Sequence, residues 1–353
     1  MKIDFLIMGQ GLSGSLLALE LIRRQRRVVV VDNGRESASQ VSAGLINPVT
    51  GMRLVKAADI DQLISEARRY YRLLSDDFRQ IFFQEKTMLR IFRNQAERDQ
   101  ALLRLNDPGY RDYLGELHPP GRQDIGFKAP FGFLEQKHTG HVLTRSLLEC
   151  LKSFFVEQSC YRLAEMDYRD IELSPVLKWQ DLYPERIVFC EGYRAAANPW
   201  FSWLPFQPAK GEILTLEHQT ALPDRIVNFG HWLIPQGSGR IRLGATFDRS
   251  RQDTVSTESG KNELLSALGR IAPNLSVQVV DHRANVRTGT LDKLPFIGLH
   301  PKFRQLAVFN GFGARGSLSI PAYSRQLADF LLKDIPVSQR CDIRRYYATH
   351  FPG

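Results

Sequence analysis

Residues 4–32, DFLIMGQGLSGSLLALELIRRQRRVVVVD, constrain the fold more than any other stretch. An apolar run ending at Met8 leads into Gly9, Gly11 and Gly14; a helical pattern follows over residues 13–24, and four valines then close on Asp32. This spacing predicts a strand over 3–8, a helix over 13–24 and a strand over 28–32, a βαβ start. Gly-x-Gly-x-x-Gly in that setting serves a dinucleotide: one glycine for the tight turn, one for close approach of backbone to pyrophosphate, one for packing helix on strand. Leu12 and Ser13 lie inside the turn, where unpaired amides and the positive end of the helix dipole favour phosphate. Asp32, followed by Asn33, is placed to accept hydrogen bonds from ribose hydroxyls. An acid there argues against a 2′-phosphate, hence against NADP, and leaves NAD and FAD both open.

A chain of 353 residues, 43% hydrophobic, can bury a sizeable core and suggests roughly two domains. No apolar stretch approaches the roughly 20 residues that span a bilayer, and the first run is too short for a secretory signal, so the cytoplasm is the expected address. Cys150, Cys160, Cys190 and Cys341 are scattered with no CxxC pair, which fits reduced thiols better than disulfides or zinc. His138 and His141 form an HxxH pair without a nearby carboxylate, and no metal site is expected. The charge of +9 attracts anions without choosing among them. Its densest run, Arg23, Arg24, Arg26 and Arg27, falls at the end of the first helix, where cations complement the dipole.

Helical spacing recurs at Ile60–Leu74, Val142–Val156 and Glu258–Ile271. Asp107–Gly132, rich in proline and glycine, reads as long loops and turns. ERIVFCEG (185–192) reads as a short buried strand, residues 198–210 as a domain crossing, and HWLIPQGSGRIRLGATF (231–247) as a hairpin. The end returns to strand, glycine-rich loop and helix, so the two ends are expected to share one domain. Trp200 and Trp203 are expected to pack at the crossing, and Asp76 and Asp77 to form a solvated face.

Four further segments carry a family resemblance. SASQVSAGLINPVTG (37–51) is a small-residue loop, and IVFCEG (187–192) a strand ending in glycine. VRTGTLDKLPFIG (286–298) gives Arg-x-x-Thr-x-Asp-x-x-Pro-x-x-Gly, followed by NGFGARGSLSIPAYSRQLADFL (310–331). With KGEILTL (210–216) and the hairpin, these resemble, over most of the chain, the D-amino-acid oxidase-like FAD-dependent oxidoreductases, in particular the members similar to glycine oxidase and sarcosine oxidase. The resemblance implies a Rossmann-type α/β FAD-binding domain with a discontinuous, mainly antiparallel α+β substrate domain. It divides the chain into FAD-binding segments 1–78, 141–205 and 285–353 and substrate segments 79–140 and 206–284.

The resemblance further implies that Ser42, Ala43, Gly44 and Leu45 pass the flavin, that Gly192 runs beside it, and that Gly311, Gly313, Ala314, Arg315, Gly316 and Ser317 form a second cradle. A helix opening from that cradle would stabilise negative charge on the reduced flavin. Arg287 corresponds to an arginine that binds a substrate carboxylate, a task suited to a guanidinium fork. Arg315 and Asn47 are the other candidates for the reacting site. No cysteine lies in residues 280–330, so FAD is expected to be non-covalent. Cys190-Glu191 departs from the small residues usual before Gly192, and a local structural substitution and a hydrogen-bonding acid both stay open.

The expected reaction is oxidation of the C–N bond of a small amine or amino acid (glycine, sarcosine or a D-amino acid) by hydride transfer to flavin N5, followed by hydrolysis of the imine. Oxygen, a quinone or an electron-transfer partner would take the electrons. Two alternatives stay open: oxidation of a modified tRNA wobble-uridine side chain, and a non-catalytic flavin-binding redox or interaction protein. The wobble-uridine module is joined to a methyltransferase domain that these residues do not include, so no nucleic-acid partner is expected. A peripheral membrane contact is left open.

Overall fold

A computed structural model describes residues 1–57, 59–121 and 126–351. The βαβ start forms as strand β1 (Lys2–Met8), helix α1 (Leu12–Arg23) and strand β2 (Val28–Asp32). Both strands are almost continuously buried, as β-branched and aliphatic runs are when helices cover a parallel sheet. Arginines in and after the last turn of α1 are engaged locally: Arg23 pairs with Asp77, Arg24 with Glu20 and Asp329, and Arg27 with Asp4.

The sheet built on this start has six strands, in the order Tyr161–Leu163, β2, β1, Tyr183–Phe189, Leu306–Asn310 and Phe296–Leu299. All pairs are parallel except the last. Register aligns Met8 with Val31 on one side and Phe189 on the other, and Phe189 with Val308. The carboxyl ends of four strands therefore converge, bringing Gly9, Asp32, Gly192 and Gly311 to one edge. The chain leaves β1 towards β2 on one side and meets Tyr183–Phe189 on the other, the crossover geometry at which open α/β sheets bind ligands.

An eight-stranded sheet forms the second layer, in the order Gln278–Thr290, Phe206–Glu217, Arg240–Gly244, Trp232–Gly237, Ile226–Asn228, Met88–Ile91, Phe133–Gln136 and Leu114–His118. Its pairs are antiparallel except Met88–Ile91 with Ile226–Asn228. One face carries Leu214, Leu216, Leu243 and Leu233 against Leu264, Ala267 and Leu268 of the helix Glu258–Ile271. The other face turns to the dinucleotide side, where Ile234 and Trp232 meet Ala43, Leu45 and Met88. Leu114–His118 lies inside the stretch expected to be loops; it is an edge strand that pairing with Phe133–Gln136 creates. Gln278–Thr290 runs unbroken through residues 284 and 285.

The helix Ile60–Phe78 buries Ile60, Leu63, Ile64, Ala67, Tyr70, Tyr71 and Leu74, a 3.6-period stripe facing the helix Gly316–Lys333. Each large side chain in it contributes roughly 1.5–3 kcal/mol of burial. Trp200 stacks near Phe189, and Trp203 packs edge-on to Tyr347 and Phe351, so both tryptophans pack where the chain crosses between sheets.

Candidate functional site

The first turn is built for close contact. A methyl group on Gly14 would overlap the carbonyl oxygen of Gly9, so only glycine lets α1 sit this near the end of β1. Gly11 caps α1 without a side chain to bond its first amides; Leu12 N–H donates to Ser39 Oγ at 3.0 Å, and unpaired amides in such a first turn suit an anion. Asp32 accepts from Gln10 N–H and Gly34 N–H, each at 2.8 Å, which fixes its carboxylate across the mouth of the turn with lone pairs left over. Asn33 turns away, accepting from Arg35 N–H at 3.1 Å.

The second segment lies alongside. Ser42 Oγ bonds Ser39 O at 2.9 Å, Gly44 crosses the backbone of Val142, and Leu45–Ile46 forms a short strand against Gly140–His141. The loop before it is held by Arg242, whose guanidinium donates to the carbonyls of Val41 and Ser42 at the end of the short helix Ala38–Val41. Burial lowers its pKa to about 10, so it remains a cation, placed at the negative end of a helix. Sequence reasoning passed over Arg242: strand alternation in RIRLG shows which face it takes but not what it meets.

The third cradle joins the first. Asn310 donates to Gly192 O at 2.9 Å and accepts from Gly311 N–H at 2.8 Å, and a Cβ on Gly313 would stand 3.8 Å from Gly289 and 4.0 Å from Thr288 O. Gly313–Arg315 is a single tight turn, and Gly316 and Ser317 open the long helix. Glu191 is a hydrogen-bonding acid: Tyr168 Oη donates to it at 2.7 Å and Asn198 Nδ2 at 2.8 Å. Burial pushes its carboxyl up to about 7 against those two donors.

Arg287 lies on the sheet face that meets the dinucleotide part, in line with Arg283 and Asn285, which bond Glu36. Its guanidinium lies over Gly211, where a Cβ would overlap it, and donates to Thr246 O at 2.9 Å, with the ring of Phe247 5.8 Å away. Among the described residues it forms no ion pair, and burial lowers its pKa with no carboxylate to offset it. Most of its five N–H donors are left for a ligand. Phe247, 62% exposed beside this cation, was not singled out from sequence.

Arg315 and Asn47 are brought together in the wall of one cavity of about 390 Å³, with Leu45 and Ala314; Arg287 is not in that wall. Arg315 donates to Thr50 Oγ1 at 2.9 Å, and Asn47 folds on its own loop, accepting from Val49 N–H at 3.1 Å. The three glycine-bearing cradles thus line one edge that fits an extended dinucleotide with a second ring system.

The family pattern of DAO, the FAD-dependent oxidoreductases, matches residues 4–330. The chain belongs to the DAO family. DAO relatives include the tRNA 5-methylaminomethyl-2-thiouridine biosynthesis bifunctional protein of Idiomarina loihiensis, 25% identical over 372 residues, covering 99% of this chain and 59% of that protein. Glycine oxidase of Geobacillus kaustophilus is 24% identical over 363 residues, covering 94% and 93%. A solved structure of glycine oxidase from that organism shares the fold with a TM-score of 0.83 at 22% identity, covering 94% of each chain. Glycine oxidase of Pseudomonas aeruginosa is 30% identical over 136 residues, 38% of this chain and 37% of that protein. The chain spans under two thirds of two of these relatives, the I. loihiensis and P. aeruginosa proteins. As a DAO member it is an FAD-dependent oxidoreductase, and no described helix is long and apolar enough to cross a membrane.

Proposed function

We propose that this DAO-family chain oxidises the C–N bond of a small amine or amino acid whose carboxylate is held by Arg287. The observation that carries the reading is a half-buried guanidinium with one backbone hydrogen bond and no ion pair among the described residues. A desolvated cation of this kind is costly unless an anion completes it, and a planar fork matches a carboxylate bidentately. Bound FAD supplies the acceptor for the hydride.

The chain's own residues bind and orient. Arg287 fixes one end of the substrate, and Phe247 flanks it. Gly9, Gly11, Leu12, Ser13, Gly14 and Asp32 would hold the adenosine and pyrophosphate half of FAD, without Asn33, whose side chain is engaged by Arg35 N–H. Ser42–Leu45, Gly192 and Gly311–Ser317 would hold the flavin half, without a covalent link. Removal of a hydride, two electrons and one proton, from the neutral amine leaves an iminium that gives up a proton from nitrogen to become the imine, and water cleaves this to a carbonyl compound and ammonia or an amine. The electrons leave to oxygen, a quinone or an electron-transfer partner. The division into FAD-binding segments 1–78, 141–205 and 285–353 and substrate segments 79–140 and 206–284, and a cytoplasmic site of action, belong to the same proposal.

A second reading takes a carboxymethylamino group on a tRNA wobble uridine as substrate; the likeness along 99% of this chain to the I. loihiensis protein favours it. Anaerobic addition of glycine, sarcosine, proline and D-amino acids to the flavin-loaded protein tests the first reading. Bleaching of the flavin band by one of them supports it. A flavin that none of them reduces, together with salt-sensitive tRNA binding, replaces it with the second.

A further inference from the structure

The cavity that holds Asn47 and Arg315 has a charge that the amine-oxidation reading leaves unused. Its wall carries three guanidiniums, Arg90, Arg93 and Arg315. One carboxylate faces them: Glu97, 3% exposed, accepts from Arg90 Nε at 3.0 Å, from Arg93 Nε at 3.1 Å and from Arg93 N–H at 3.1 Å. Glu97 neutralises one of the pair, and Arg315 forms no ion pair among the described residues, so two positive charges stay uncompensated.

The donors are free as well. Arg90 spends a terminal nitrogen on Gly51 O at 2.8 Å, but the exposed side chain of Arg93 bonds Glu97 through Nε alone, and its terminal nitrogens have no partner among the described residues. Arg93 lies across Gly230, where a Cβ would stand 3.0 Å from its Cδ, so the absence of a side chain there lets the guanidinium reach the cavity. Asn228 adds an amide on the same wall. Leu45, Ala314 and Arg315 belong to the candidate flavin cradle and Asn47 and Arg315 to the candidate reacting site, so the cavity adjoins both.

We propose that this cavity is a second anion subsite, and that the substrate is an amine carrying an oxyanionic group, carboxylate or phosphate, distal to the carboxylate on Arg287. The inference rests on the amine-oxidation reading and narrows its substrate class. Fixed donors around a net positive wall select such a group by hydrogen bonds and charge together.

Sarcosine and iminodiacetate test it, because both are N-substituted glycines and differ by one carboxylate on the second arm. Binding to the flavin-loaded protein is measured by anaerobic titration calorimetry, with the flavin band recorded in parallel and inorganic phosphate as competitor. Iminodiacetate is expected to bind at least tenfold tighter than sarcosine, and this preference should fall at least tenfold in Arg93→Gln and in Asn228→Asp, with Arg93→Lys recovering part of it. The Asn228 variant leaves the Arg90–Glu97–Arg93 cluster intact, so it keeps the test decisive if Arg93→Gln fails to fold. Competition by phosphate assigns the subsite to phosphate-bearing amines; preference without competition assigns it to a second carboxylate. Equal binding of the two amines together with no phosphate competition, or a preference unchanged in both variants, overturns the subsite. Selective binding without bleaching overturns the amine reading and leaves the subsite standing.

Discussion

The hydroxyl of Tyr71 donates to the carbonyl oxygen of Ser317 at 2.8 Å, and it does so because of a residue four places further on. Position 321 is proline, inside the helix Gly316–Lys333, and proline has no N–H to give the carbonyl at i−4. Ser317 O would be a buried orphan acceptor, and Tyr71 from the neighbouring helix satisfies it. Tyr71→Phe is expected to lower stability by about 1–3 kcal/mol, the cost of leaving a buried carbonyl unpaired. Because Ser317 opens the helix at the candidate flavin cradle, FAD affinity should fall with it. Chemical denaturation and flavin titration of the variant check both.

Gly211 has a job that its own contacts do not reveal. A methyl group there overlaps the guanidinium of Arg287, so Gly211→Ala moves the arginine without changing its charge. The expected outcome resembles that of Arg287→Ala: flavin still bound, KM for amino acids raised about tenfold or more, and much less change for amines without a carboxylate. Phe247→Ala removes only the flanking ring, worth roughly 0.5–1 kcal/mol at an exposed cation–π contact, and should raise KM about two- to fivefold. Steady-state kinetics on paired substrates with and without a carboxylate distinguish the three; equal losses on both members of a pair would count against Arg287 as the anchor.

Arg242 holds the loop 41–44 to the eight-stranded sheet through two carbonyls. Arg242→Met keeps the length of the side chain and drops the donors, leaving the end of the Ala38–Val41 helix uncapped. Charge-assisted hydrogen bonds of this kind are worth about 1.5–3 kcal/mol, so a stability loss of that order and weaker FAD binding are expected. Unchanged flavin affinity would show that the loop does not need the arginine.

What could be read from sequence divides along a physical line. The start β1–α1–β2 and the helices Ile60–Phe78 and Glu258–Ile271 were legible because their signals are local: glycine spacing, caps and a 3.6-residue apolar period. Leu114–His118 was not, because its strand state comes from Phe133–Gln136 beside it rather than from its own residues. The same holds for the site. Glycines announce a close backbone approach, so the cradles could be placed, whereas the Arg90–Glu97–Arg93 cluster reads in sequence as scattered charge. Only the return of the chain after Met88–Ile91, with Asn94 capping the helix Gln95–Leu105, buries Glu97 between the two arginines.

Glu191 gives a stability profile with a definite sign. Burial lifts its carboxyl to about 7 in the fold, against an ordinary value of 4.5, so between these values the folded state binds more proton than the unfolded chain. Its contribution is fully present below about pH 4.5 and is lost as pH rises to 7, where the fold must hold a desolvated carboxylate; the gap corresponds to at most about 3 kcal/mol. His141 and His300, each lowered to about 4 chiefly by burial, act in the opposite sense, gaining stability as pH rises from about 4 to 6.5. The raw curve mixes these effects, and the difference between wild type and Glu191→Gln isolates the acid. The carboxamide introduced by that substitution can accept from Asn198 and donate to Tyr168 without a charge, so the variant should match wild type near pH 5 and melt several degrees higher at pH 8. Thermal unfolding of the FAD-loaded pair across that range is the measurement. A constant offset at every pH would mean that Glu191 keeps one protonation state in the fold and serves only to tie Tyr168 to Asn198.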